Sequence, residues 1–268
     1  MAYTTIDNPE LYFQAKVYSG SSSDVTVTFD GSEDMQPDWV WIKVRSNSTH
    51  GHNLYDSVRG VNKPLQSETT SAEGNDASGG NTSLNSFDSD GFTLGGFYNK
   101  VNQSGQTFVA WNWKAGGSAS SNSNGTETTN VSVNTTAGFS IITYSGTTAV
   151  DTYGHGLSQK PEMMIFKTRT GASRNWVVYH KDIGATKHLH LNTTDAENTY
   201  QFMFNNTEPT SSVITLSDDG EVNKSGSTYV GYIFHSVKGY SKFGSYTGER
   251  KCRWCICLYM ISSSLDYD

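Results

Sequence analysis

Pro37-Asp38-Trp39-Val40-Trp41-Ile42-Lys43-Val44-Arg45 returns 124 residues later as Pro161-Glu162-Met163-Met164-Ile165-Phe166-Lys167-Thr168-Arg169. The same spacing carries Tyr55, Gly60, Lys63 and Leu65 onto Tyr179, Gly184, Lys187 and Leu189. It also carries Thr69-Thr70-Ser71-Ala72-Glu73 onto Thr193-Thr194-Asp195-Ala196-Glu197. At a spacing of 121, Asn102-Gln103-Ser104-Gly105-Gln106-Thr107-Phe108-Val109-Ala110-Trp111 matches Asn223-Lys224-Ser225-Gly226-Ser227-Thr228-Tyr229-Val230-Gly231-Tyr232. A unit of this length can bury its own core, unlike short solenoid repeats that need stacked neighbours. The expectation is one domain written twice.

Side-chain alternation gives the local structure. In the quoted stretch Val40, Ile42 and Val44 share one strand face, with Trp39, Trp41 and Lys43 on the other. The copy sets Met164 and Phe166 against Met163, Ile165 and Lys167. In the later strand Val109, Trp111 and Trp113 align with Val230, Tyr232 and Phe234. Aromatic and β-branched residues on one face suit a covered strand, so Trp111 and Tyr232 are expected at equivalent core positions. Ser104-Gly105 and Ser225-Gly226 read as the turns before these strands.

Composition agrees: 26 glycines, 12% aromatic and 17% charged residues in a chain of 268, with no long apolar stretch at the helical period. The fold is expected to be all-β, with two tandem homologous β-sandwich domains. The first covers 1–115. Residues 116–132, rich in Gly, Ser and Asn, read as a flexible linker. Residues 133–248 hold the second copy and the start of a truncated third at Phe243-Gly244-Ser245-Tyr246-Thr247-Gly248. Residues 249–268 break with everything before them, bringing all three cysteines, Cys252, Cys255 and Cys257, beside a basic cluster. They are expected to be an out-of-frame tail, and disulfides to play no part in the two domains.

A net charge of −7 disfavours a phosphate-tracking surface, so nucleic acid is not an expected partner. No apolar run reaches the length of a membrane span, and the N-terminus lacks the basic and apolar regions of a signal peptide. Synthesis in the cytoplasm, without membrane insertion, is the expectation.

Several motifs together resemble a repeat found in virion proteins of marine tailed bacteriophages. They are the openings Tyr18-Ser19-Gly20 and Tyr144-Ser145-Gly146, then Gln36-Pro37-Asp38-Trp39-Val40-Trp41-Ile42-Lys43 and Asp56-Ser57-Val58-Arg59-Gly60. Phe87-Asp88-Ser89-Asp90-Gly91-Phe92, Phe108-Val109-Ala110-Trp111 and Gly239-Tyr240-Ser241-Lys242-Phe243 complete the set. The resemblance covers residues 1–248. It implies a tail or tail-fibre component with a lectin-like, concanavalin-type sandwich, without enzymatic activity, acting in host attachment or particle assembly. Other virion proteins and a host-surface glycan would be its partners, the virion its location, and a homo-oligomer compatible with that role. A carbohydrate-active enzyme and a free carbohydrate-binding module are the alternative classes.

The candidate binding residues follow the first core strand of each copy: His52, Asn53 and Tyr55, then Trp176, Tyr179 and His180. Sugar recognition needs a flat ring face and hydrogen-bonding groups, and these segments hold both, although Tyr55 and Tyr179 are equivalent and suit packing as well. No cofactor is expected. Asp88-Ser89-Asp90-Gly91 resembles the start of a calcium loop, but Asn99 stands where the bidentate glutamate belongs, so a hairpin turn is the better reading. His188 and His190 share a strand face without a third ligand nearby in sequence, which favours a plain strand over a metal site. Asp56, Glu73, Asp182 and Glu197 are the carboxylates that a glycosidase pair would have to come from.

Overall fold

The structure, a computed structural model, describes residues 4–48, 50–76, 82–96 and 99–248. The tail 249–268 lies outside the described residues. The first half contains β1 (Phe13–Ser19), β2 (Val25–Thr28), β3 (Trp39–Val44), β4 (His52–Asp56), β5 (Gly60–Leu65), β6 (Leu84–Asp88), β7 (Gly91–Leu94), the short helix α1 (Asn99–Asn102) and β8 (Thr107–Trp113). The second contains β9 (Ser120–Asn122), β10 (Thr129–Asn134), β11 (Phe139–Ser145), β12 (Asp151–Gly154), β13 (Met163–Thr168), β14 (Val177–His180), β15 (Lys187–His190), β16 (Asn198–Thr199), α2 (Gln201–Phe204), β17 (Val213–Leu216) and β18 (Thr228–Phe234). The described residues are all-β apart from these short helices and one further helical turn at Pro9–Leu11.

Strand order correlates the halves. The large sheet β1-β8-β3-β4-β5 has its counterpart in the run β11-β18-β13-β14-β15, and β2-β7 in the small sheet of the first half corresponds to β12-β17. All pairings between named strands are antiparallel. The quoted repeats explain local geometry too. Asn102 and Asn223 each hold the loop after the first strand: Asn102 Oδ1 accepts from Ser21 N at 2.8 Å, and Asn223 Oδ1 from Thr147 N at 2.9 Å. Tyr18 and Tyr144 donate their hydroxyls to the carbonyls of Val101 and Val222. Gly20 and Gly146 close the same clasp, where an added Cβ would lie 2.1 Å from Gln103 O and 2.3 Å from Lys224 O. Lys43 and Lys167 donate to the equivalent carbonyls of His50 and Arg174.

Three cores result. Val40, Ile42, Val44, Phe108 and Ala110 of the first large sheet pack against Val27, Leu84, Phe92 and Leu94 of β2-β7-β6. Met164, Phe166, Tyr229 and Ile233 likewise pack against Tyr153, Ile214 and Leu216. The third core lies between the large sheets: Trp39, Leu54 and Leu65 meet Phe139, Ile141, Ile165, Trp176, Val230, Tyr232 and Phe234. Strands β13 and β18 are therefore covered on both faces, which is why they read as continuous apolar runs.

Two expectations need correction. The face bearing Trp111 and Tyr232 is not the sandwich core but the face between the halves; Tyr232 is fully buried there, whereas Trp111 is only half-buried. Alternation marks two faces of a strand without saying which cover each receives. Nor is 116–132 a free linker. Ser120–Asn122 and Thr129–Asn134 form β9 and β10 at one edge of the second large sheet, Gly116 N donates to Ser132 Oγ, and Gly117 N to Asp38 Oδ2. An edge strand needs little apolar side chain, so the composition of β9 imitates a linker.

Buried charge ties the halves together. Arg59 is fully buried, bonded to Asp56 Oδ2, to the carbonyls of Leu54 and Lys63, and to Glu73 Oε2 at 3.0 Å. Tyr232 of the other half donates to Asp56 Oδ2 at 2.7 Å and accepts from Arg59 Nη2 at 3.3 Å. Glu73 continues across to Arg169, with contacts of 2.9 and 3.1 Å. Burial alone would lower the Arg59 pKa, but Asp56, Tyr232 and Glu73 more than reverse this and hold it raised. Arg59→Ala leaves Asp56 buried without its cation, and we predict a loss of about 3–5 kcal/mol in chemical denaturation. A loss below about 1 kcal/mol would contradict this account of the network.

Candidate functional site

Where the large sheets diverge, the same face opens into a cleft of about 360 Å³. Its first wall is Trp41, Trp111 and Trp113 with Phe13 and His52, and its second is Phe139, Met163, Ile165 and Phe234. Trp39 lies at the base, stacked on Tyr232 with ring centroids 4.2 Å apart and 4.5 Å from Trp113. Antiparallel register sets Trp41 directly opposite Trp111, so two indoles stand side by side on adjacent strands. The segment after β18 closes the far side: Val237 and Ser241 bond to each other, Phe243 lies 5.6 Å from Phe234, and Tyr240 meets Tyr12 at 6.2 Å.

The polar groups here are few and specific. Trp41 Nε1 donates to His52 Nδ1 at 2.7 Å, which requires an unprotonated Nδ1 and places the neutral ring's proton on Nε2. Burial lowers the His52 pKa, with Lys43 adding to the effect and Glu68 opposing it. Trp39 Nε1, although buried, has no acceptor among the described residues. The lining contains no carboxylate, and Lys242 is its one cation. A ligand with a flat apolar face and hydrogen-bond acceptors fits this arrangement, since the first wall is aromatic, the second apolar, and His52 Nε2–H a donor.

Of the residues expected to bind, His52 alone lines this cleft. Tyr55 and Tyr179 are fully buried in the cores of separate sandwiches, and Tyr179 donates to Glu208 Oε2 at 2.7 Å. Asn53 is buried, its amide at 3.4 Å from Gly51 O. Trp176 is buried between the halves, donating Nε1 to Gln66 O at 2.9 Å. His180 stands on β14 opposite Met163, with Nδ1 4.0 Å from Asp182 Oδ2. These six residues thus do not make one site. Trp111 and Trp113 were legible as aromatics on a strand face but read as core, because aromatic and β-branched residues on one face suit a covered strand; Trp41 was placed only on the opposite face from Val40, Ile42 and Val44.

The other candidates resolve as follows. Asp88 faces Gly91 across a hairpin and accepts from Thr93 Oγ1 at 2.7 Å. His188 is buried and His190 bonds to Glu221 Oε2 at 2.9 Å. No cluster of three His, Cys, Asp or Glu suited to a metal occurs among the described residues. Asp56 and Glu73 are held by arginines, Glu197 by Lys187, and Asp182 lies beside His180.

One family profile, described as a domain of unknown function, DUF7483, matches residues 8–255. The chain belongs to that family. A single DUF7483 match spans both halves, so the unit the family describes includes the cleft between them. It also runs past Gly248 to Cys255, into the segment expected to be out of frame. No curated protein and no solved structure matches the chain.

Position on the shared face separates stability from binding. Trp39→Ala should cost about 3–5 kcal/mol and Trp111→Ala only roughly 1–2, measured by urea denaturation. Equal losses would overturn the assignment of Trp111 to an open wall. Because the folded His52 pKa lies below its ordinary value, its neutral form contributes stability that is complete above that value and lost as pH falls. Protonation also removes the Trp41 hydrogen bond. Tryptophan emission should therefore change in acid with a midpoint below the usual histidine range, and His52→Gln should abolish that transition; persistence of the transition would assign it elsewhere.

Proposed function

We propose that this DUF7483 protein is a non-enzymatic binding component of a virus particle, associated with the tail, whose cleft recognises a host-surface glycan. In this reading the chain is two copies of one lectin-like β-sandwich fused back to back. The shared strand order and the repeated Asn102 and Asn223 clasps support the duplication. The residues resembling tailed-phage virion repeats support the setting, with other tail proteins as further partners.

The observation that carries the reading is the cleft itself. Trp41 and Trp111 offer adjacent indole faces to a pyranose ring, while His52 Nε2–H is a donor for its oxygens. The carboxylates weighed for hydrolysis stand elsewhere, beside cationic or imidazole groups. This arrangement supports binding without cleavage.

A glycan and whole-cell binding screen tests this. The full chain should bind a defined subset of surface glycans with quenching of tryptophan emission, and Trp41→Ala and Trp111→Ala should each weaken binding at least about tenfold while the fold is retained. Binding unchanged in both variants, or release of reducing ends from the glycan, would refute the proposal.

A further inference from the structure

A second aromatic surface lies on the second half, away from the cleft. Helix α2 turns Met203 and Phe204 into the core, which leaves Tyr200 and Phe202 outward, 37% and 40% exposed, with ring centroids 5.3 Å apart. They border an open depression of about 370 Å³ together with Arg174, Asp218, Asp219 and Lys224. Asp219 is fixed in place: Oδ1 accepts from Glu221 N at 2.7 Å and Oδ2 from the Tyr200 hydroxyl at 3.3 Å. Gly220 makes room for Arg174, since an added Cβ would lie 2.8 Å from its Nη2. Arg174 takes part in none of the ion pairs formed among the described residues.

Arg174 and Lys224 align with His50 and Gln103 of the first half. There the two side chains bond to each other, His50 Nε2 to Gln103 Oε1 at 3.1 Å. Two cations cannot pair in that way and repel instead. The second half thus has two donors beside exposed rings.

The geometry points to a second binding site here, for a neutral pyranose. Tyr200 and Phe202 present ring faces and edges to the apolar side of the sugar, Arg174 and Lys224 donate to its oxygens, and Asp218 and Asp219 accept from its hydroxyls. Two cations against two carboxylates leave the lining neutral, which matches an uncharged polyol better than an acidic or amino sugar. The site is independent of the cleft and stands whether or not the cleft binds glycan. If both bind, two weak contacts on one chain strengthen attachment to a polyvalent surface.

Saturation-transfer NMR of the full chain with the methyl pyranosides of glucose, galactose and mannose, alongside methyl glucuronide and methyl glucosaminide, tests the site. At least one neutral glycoside should give saturable transfer. Tyr200→Ala, Phe202→Ala and Arg174→Gln, each made in a Trp111→Ala background that disables the cleft, should reduce its affinity at least about tenfold. All three substitutions are at the surface, and circular dichroism checks that each variant is folded. No saturable transfer from any neutral glycoside, affinity retained in the Tyr200 and Phe202 variants, or tighter binding of the glucuronide or glucosaminide would overturn the proposal.

Discussion

Everything in this molecule is arranged around the contact between Trp39 and Tyr232, rings stacked 4.2 Å apart at the centre of two large sheets packed face to face. Beside the rings, the Tyr232 hydroxyl enters the ion pair of Asp56 and Arg59, so apolar stacking and buried charge meet on one side chain. A buried arginine is tolerated only where each donor finds an acceptor, and here it does, through Asp56, Glu73, two carbonyls and the Tyr232 hydroxyl. The network has a strict geometry that the stacked rings alone would not impose. It specifies which face of each sheet is joined and in what position.

The joint is unequal with respect to the sequence repeat. Asp56 and Arg59 align with His180 and Ile183, so the second copy has no equivalent ion pair. Glu73 reaches Arg59 and Arg169, whereas its counterpart Glu197 pairs with Lys187 at the surface. Lys167, fully buried, donates to Thr70 O across the joint, and burial pushes its pKa down to about 8; Lys43 has contacts only within its own half. The segment 66–73 of the first copy has become a fastening, while the matching 190–197 is left at the surface. Two equal units thus form one unequal pair, joined on one side and open on the other.

That opening is what supplies a cleft. Where the sheets are closest, Leu54, Leu65 and Trp176 seal the contact; where they diverge, Trp41, Trp111 and Trp113 remain without full cover. The second surface lies where the residues aligned with His50 and Gln103 are Arg174 and Lys224.

The sequence by itself determined the alternation of the core strands and the turns before β8 and β18, because these depend on neighbours within a few residues, and it shows the repeat spacing directly. Val40, Ile42 and Val44 were legible as one strand face in this way, whereas the glycines and asparagines of the clasps were visible only as repeated residues. Tertiary structure alone decided what covers the opposite face. A strand shows the same apolar alternation whether its second face meets another sheet, a ligand cleft or water, so Tyr232 and Trp111 look alike and end in different surroundings. Polar segments are ambiguous for the same reason: β9 carries the composition of a linker because an edge strand requires backbone partners and little else. His52 was chosen from the sequence for its chemistry, but its partner Trp41 lies on the neighbouring strand, and only their register put an indole N–H against its ring.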